Sequence, residues 1–588
     1  MASGSGKVHV VRVKKTGYVD KQGQRRDYSS TYLRRTYREG GKVKNETVAN
    51  LSALPEHVID WIEVGLKGEQ LIPAGQAATI TRSLPHGHVA AVSAMALKLG
   101  LPALLGPAGR HRDLALALII SRVVNPNSKL STLTWWSDTT LGLDLSVADA
   151  STDEIYTAMD WLICRQDAIE AKLARRHLAI TVNPSRMALF DLSSSWVEGS
   201  QCPLAARGHS RDGKRGPAQI EYGLLTDPAG HPVAIGVFPG NTGDPSAFTQ
   251  IVQVVCERFR LEQMVMVGDR GMITSARIEA LKELDEPLGG ITALRAPAIA
   301  KLACDDGPLQ MSLFDAQDLV EIAHPDYPGE RLVACCNRYL AAERARKRDV
   351  LLQATEEVLA PIAARVATGR LTGADKIGLA VGKVINKYKM AKHFEVTITD
   401  TDLACARKHE QIAAEAALDG VYVLRTSVPA TALDAPGVVM AYKMLAHVER
   451  DFRSIKVDDL ELRPIYHRLE DRVRAHVLIC MLAAYLTWHL RRAWAPLTFT
   501  DEAPPERANP VAPAQRSAAA EAKAHRHRAA HGRPVRSFRG LLTHLATLVC
   551  NQVRFAGTET EVPMLSEATD IQREAFELIG APIPLRAV

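Results

Sequence analysis

Residues 442–456 read YKMLAHVERDFRSIK, and the way this stretch folds decides what the rest of the chain must be. At about 3.6 residues per turn, residues seven apart share one helix face. Tyr442, Glu449 and Lys456 have that spacing and form one stripe of phenol, carboxylate and ammonium, with apolar Leu445 and Phe452 beside it. Two readings are open. The charges could lie on a solvated face, paired with Arg450 or Arg453 at short helical spacing. Alternatively, a carboxylate at the centre of an inward face serves a site, and sequence elsewhere must supply its partners.

Upstream the period changes. MALFDLSSSW (187–196) is a short apolar run reaching Asp191, a buried-strand pattern. IEYGLLTDPAGHPVAIGVFPGN (220–241) reads as two strands joined at the DPAG turn. A helix follows, then MVMVGDRGM (264–272), an apolar strand running into Asp269, then SARIEALKELD as a helix and GGITALRA as a strand. This order predicts a mixed α/β sheet in which two strands deliver aspartates near their carboxyl ends, where open α/β sheets place their sites. Isolated carboxylates in apolar strands are costly to bury, and two brought together repel unless a cation lies between them. Hard divalent cations with oxygen ligands offset that cost.

Composition fits an intracellular globular protein with several domains. The chain has 588 residues, a net charge of +6 and nine cysteines. No CxxC pair occurs, so neither a zinc ribbon nor a disulfide framework is expected. The start, MASGSGKVHVVRVKK, lacks an apolar signal region. VLICMLAAYLTWHL (477–490) is short for a bilayer span and reads as a buried helix; no membrane partner is expected. Basic residues crowd positions 7–44, where tyrosines alternate with arginines including Arg34 and Arg35, as suits a basic β-ribbon on a phosphate backbone. Seven segments are expected: a small basic β-rich DNA-binding domain (1–80), a helical domain (81–183), the first part of the α/β core (184–296), an α+β insertion (297–437), the second part of the core with the Glu449 helix (438–498), a basic flexible linker (499–536) and a helical tail (537–588).

The order Asp, Asp, then Glu on a helix, carried by FDLSSSWVEG (190–199), VGDRGM (267–272) and YKMLAHVERDFRSIK, resembles DDE-type bacterial insertion-sequence transposases. The likeness is to the insertion-sequence-4 group, and within it to the 1634-type relatives; GVFPGNTGD, RVVNPNSKL and RPIYHRLEDRVRAHV also resemble that group. It implies a ribonuclease H-like core with a mixed five-stranded sheet. It further implies cleavage at transposon ends and strand transfer into target DNA, with Asp191, Asp269 and Glu449 as catalytic residues holding two Mg²⁺ ions, or Mn²⁺ as a substitute. Double-stranded DNA, both inverted-repeat ends and target, is the implied partner, met by a homodimer in a synaptic complex within the bacterial cytoplasm, at the nucleoid. Tyr442, Lys456, Arg450, Arg453 and Arg270 are the implied DNA contacts beside the ribbon's Arg34 and Arg35, and Trp196 is placed to stack on an exposed base. Leu445 stands where the group's signature has arginine, so an arginine there is expected to be tolerated. Two alternatives stay open: a ribonuclease H-like nuclease without strand transfer, and a catalytically silent DNA-binding regulator derived from a transposase.

Overall fold

The computed structural model describes residues 6–69, 77–178, 187–214, 216–259, 261, 264–284, 288–304, 307–529 and 532–586. The chain divides into two compact units: Met1–Ser83 with Cys550–Leu565, and Leu84–Val549 with Ser566–Val588.

In the first unit, strands β1 (Lys7–Val19), β2 (Arg25–Glu39) and β3 (Lys42–Asn50) form an antiparallel meander. Glu39 pairs with Lys42 across a two-residue turn. Gly40 and Gly41 make that turn possible, because both adopt positive φ, +61° and +80°, as a tight hairpin of this kind demands. Strand β4 (Ala78–Pro85) follows the helix Glu56–Leu66.

The second unit is built on an eight-stranded sheet. Its first strands are β5 (Met187–Trp196), β6 (Gln219–Thr226), β7 (Pro232–Pro239), β8 (Val265–Gly268) and β9 (Gly289–Ala293). From the 297–437 segment come β10 (Leu319–Ile322), β11 (Arg331–Cys336), the hairpin β12 (Phe394–Ile398) and β13 (Leu403–Arg407), and β14 (Val421–Thr426). The sheet order is β10-β11-β14-β9-β8-β5-β6-β7. Strand β5 runs parallel to β8, β8 runs parallel to β9, and the other neighbours are antiparallel. The five strands read from sequence therefore lie together, but β14, β11 and β10 continue the sheet past β9. The segment expected as a separate insertion is split: three of its strands cover an edge that would otherwise expose unpaired backbone groups. The hairpin β12–β13 and the helices Arg338–Ala367 and Ala374–Tyr388 gather an apolar cluster around Leu359, Ile377 and Val381, while β11 and β14 contribute to another around Leu302, Leu332 and Val423.

A long helix, Glu470–Ala493, is buried along most of its length and packs against helices Arg110–Val124 and Thr152–Ile163 and strand β7. Among the described helices it alone is long and apolar enough to cross a membrane, and here it is the centre of the core. Ser151 and Glu154 close a reciprocal capping box on Thr152–Ile163, an N-terminal signal visible in the sequence.

Two readings of the C-terminal region are corrected. Residues 499–536, expected as a flexible linker, contain a helix, Ala518–Arg526, capped by Ser517. Lys523 is buried and donates to the Ala495 carbonyl at 3.0 Å, and Asn509 donates to Asp318 at 2.6 Å. These contacts, distant in sequence, supply the order that Ala, Pro and Arg composition alone does not. The tail, expected to be helical, holds one helix, Phe538–Leu545, then strands β15 (Val549–Phe555) and β16 (Glu561–Leu565), and a last helix, Asp570–Ile579. β15 lies between β16 and β4 in a three-stranded sheet, which its β-branched Val549 and Val553 favour.

Candidate active site

The parallel pairing of β5 and β8 positions the first two carboxylates. Phe190 is in register with Gly268, so the residues that follow them, Asp191 on β5 and Asp269 just past the end of β8, are brought to neighbouring positions. Alternation sends Phe190 to the opposite face, where it is fully buried against Gly223. A Cβ on Gly223 would meet that ring at 2.4 Å, so glycine there sets how close β6 comes. Asp191 lies mid-strand rather than at the strand end, because β5 continues to Trp196. Asp269 follows β8 directly and is exposed.

Glu449 arrives on a helix, but the stretch 442–456 is not one continuous helix. Tyr442 is in the last turn of Ala435–Lys443, Glu449 is on Leu445–Arg453, and Ser454–Asp458 forms a π turn. The Glu449 helix packs on β5. Val448 and Phe452 are buried, the Phe452 ring lies 5.7 Å from that of Tyr222, and Glu449 remains exposed beside them.

The carboxylates meet electrostatically. Burial pushes the Asp191 carboxyl up to about 7, and the charges of Asp269 and Glu449 push the same way. Opposing them are the Leu192 N–H, which donates to Asp191 Oδ1 at 2.8 Å, and the charge of Arg211. Two acids whose charges act on a third carboxyl make a site that favours a cation. Oxygen ligands of this kind suit a hard divalent metal, so the donor set fits. Tyr442 braces the site: its hydroxyl donates to Asp269 Oδ1 at 3.3 Å, and burial together with the Asp269 charge holds the phenol protonated.

The other residues singled out in the sequence are placed unevenly. Arg270 is exposed next to Asp269, and both line a cavity of about 670 Å³ with Tyr442, Arg344 and Tyr422. Arg450 and Arg453 are exposed but line a different cavity, of about 790 Å³, with Arg491 and Arg492. The Trp196 ring is engaged by two cations, Lys214 at 3.9 Å and Arg463 at 5.1 Å from the ring centre. In the first unit, Arg34 stacks over Tyr32 at 5.5 Å and Arg35 lies 3.9 Å from Glu46.

Lys456 differs most from expectation. It is 8% exposed and donates to Asp212 at 2.8 Å, while Arg463 pairs with the same carboxylate at 2.6 Å. The Asp212 side chain is itself only 2% exposed. The cause is the π turn, which winds each residue through a smaller angle than an α turn and rotates Lys456 away from the Glu449 face. This lysine holds a buried network instead of reaching out as a free ammonium.

Leu445 also departs from expectation: it is 9% exposed and part of the main core. Leu445→Arg should therefore destabilise the protein by about 2–3 kcal/mol, its guanidinium reaching for the nearby surface at the expense of packing. Leu445→Met should stay within about 1.5 kcal/mol. Urea denaturation checks both, and an arginine variant with the wild-type midpoint would mean the position opens to solvent.

Sequence reading missed Arg211 and Asp212. Arg211 ion-pairs with Asp244, donates its backbone N–H to Ser194 at 2.9 Å, and lends its charge to Asp191. The signal available was the charged segment HSRDGKRG between two apolar strands, an unusual insertion between paired strands.

A family model described as the transposase DDE domain matches residues 193–486, half of the chain. That span begins just after Asp191 and includes Asp269 and Glu449. A second model, the N-terminal domain of IS1634 family transposases, matches residues 19–74. The chain belongs to the DDE transposases. This transposase is thus a DNA-processing enzyme with a ribonuclease H-like α/β core. Among solved structures it is similar to a cryo-EM structure of the piggyBac transposase synaptic complex with hairpin DNA, at 10% identity and a TM-score of 0.34, covering 78% of this chain and 76% of that chain. No curated protein matches the transposase.

Proposed function

We propose that this transposase cuts DNA at the inverted-repeat ends of a bacterial insertion sequence and joins the freed 3′-hydroxyl to target DNA. The observation that carries the proposal is the meeting of Asp191, Asp269 and Glu449 from two parallel strands and one helix, with the charges of the other two acting on Asp191. Their carboxylates would hold two Mg²⁺ ions, with Mn²⁺ as a substitute. A divalent cation, when bound there, supplies Lewis-acid stabilisation of the charge that builds on the phosphate oxygens.

The protein's own groups do the rest. Tyr442 fixes the Asp269 carboxylate through its hydroxyl, so that a ligand outside the packed core keeps its orientation. Arg270, exposed beside Asp269, would meet a phosphate next to the cut. Trp196, with Lys214 and Arg463 over its ring, forms a cationic edge suited to backbone phosphates more than to a stacked base. The basic ribbon of β1–β3, with Arg34 and Arg35, would follow the duplex backbone, where contacts position the protein without reading sequence. A homodimer would present two such sites to two ends.

Joining separates this function from that of a simple nuclease. With a pre-cut end bearing a 3′-hydroxyl, a supercoiled target and Mg²⁺, the transposase should yield covalently joined product, and removal of the 3′-hydroxyl should abolish it. Cleavage of ends with no joined product under these conditions would favour a nuclease without strand transfer.

A further inference from the structure

Asp227 and His231 flank the turn between β6 and β7, and His177 is the last residue of the helix Gln166–His177. Their ligand atoms all lie within 4.8 Å of one another. His231 Nδ1 is 2.8 Å and His177 Nδ1 3.8 Å from the same oxygen, Asp227 Oδ2. The side chains are only 14%, 11% and 10% exposed for His231, His177 and Asp227. We propose that these three residues form a second metal site, for a borderline first-row cation of the zinc type, separate from the three catalytic carboxylates.

Three features of the surroundings support it. The two imidazoles stack with centroids 4.3 Å apart and planes 25° apart, which turns both Nδ1 atoms toward one carboxylate oxygen. The outer nitrogen of His177 is held by the Tyr485 hydroxyl at 3.0 Å, and Arg176 donates to that hydroxyl at 3.2 Å. A ligating histidine is normally fixed through its far nitrogen in this way. His489 stands nearby, 5.2 Å from His231 between ring centres. Its buried Nε2 has no hydrogen-bond partner among the described residues, and it is the candidate for a fourth ligand.

Ligand chemistry separates the two sites. Imidazole nitrogens suit zinc, copper, iron or nickel, whereas carboxylates with water suit magnesium and manganese. A cation bound here would fasten the β6–β7 turn to the end of a helix from the 81–183 domain, beside the core helix that carries Tyr485 and His489. Its role would be structural, holding the sheet and the helical domain together.

The full-length protein without a histidine tag, freed of metal by chelation, should take up one equivalent of Zn²⁺ per chain that survives dialysis. Co²⁺ in its place should give visible ligand-field bands without the charge-transfer band of cysteine sulfur. Asp227→Asn and His231→Gln should each weaken Zn²⁺ binding by at least about tenfold, while Asp269→Ala retains it. Zn²⁺ should raise the wild-type melting temperature and leave that of His231→Gln unmoved. Failure of the wild type to bind Co²⁺ or Zn²⁺ would overturn the proposal even if the variants do not fold, leaving a hydrogen-bonded turn. Zinc lost with Asp269→Ala but kept by His231→Gln would overturn it in favour of the catalytic carboxylates.

Discussion

Asp269→Ala should reduce strand cleavage at a transposon end by about three orders of magnitude or more, yet leave affinity for that end within about threefold. The asymmetry follows from position. Asp269 is exposed at the end of β8 and takes no part in the core, so its loss should not unfold the sheet. What it removes is a ligand to the cation that stabilises the transition state, an interaction that ground-state DNA binding does not need. Deleting residues 7–52 should do the reverse: binding weakens and its salt dependence flattens, because fewer phosphates are neutralised and fewer counterions leave the DNA. Gel-shift titrations at several salt concentrations, beside single-turnover cleavage, separate the two effects. An Asp269→Ala protein that loses binding and cleavage in equal measure would make Asp269 a DNA-positioning residue.

Lys456→Ala should lower stability by about 3–5 kcal/mol, the cost of leaving a buried carboxylate short of a partner. Asp212 is almost completely buried and shared between Lys456 and Arg463. One of its oxygens already lacks a partner among the described residues, so removing the lysine leaves the arginine alone to balance the charge. Combining Lys456→Met with Asp212→Leu should recover part of the loss, since the buried ammonium and carboxylate are removed together and Arg463, at 22% exposed, can turn to solvent. Urea denaturation of the single and double variants measures the coupling. End binding per folded molecule should be unchanged in Lys456→Ala. Wild-type stability with weakened end binding would instead place this ammonium on the DNA.

The elements that carry the three acids were legible from the chain, because each acid stands within or beside an apolar pattern. Asp191 falls in an apolar strand, Asp269 where another ends, and Glu449 beside Val448 and Phe452 on a helix that packs inward. What periodicity could not show was the hydrogen-bonding shift at Ser454–Asp458, after which seven residues no longer return to the same face. The fate of Lys456 also depended on Asp212, a partner remote in sequence. Leu445, read as a position that would tolerate the group's arginine, was an ordinary apolar core residue, and its hydrophobicity was the better guide. The extension of the sheet by β10, β11 and β14 was hidden for a related reason: four- to six-residue strands carry no mark of which sheet they join. The tail read as helical, yet its first helix stops at Leu545 and a strand begins at Val549, where β-branched residues and a neighbouring strand outweigh the apolar run.

The central claim, that Asp191, Asp269 and Glu449 hold the metals that drive cleavage, is tested most directly by anomalous diffraction from crystals of the transposase grown with end DNA and Mn²⁺. Two anomalous peaks are expected about 3.5–4 Å apart, with Asp191, Asp269 and Glu449 oxygens as their protein ligands. Manganese bound without contact to two or more of these carboxylates, or a cleavage-competent complex whose peaks lie elsewhere, would contradict the account.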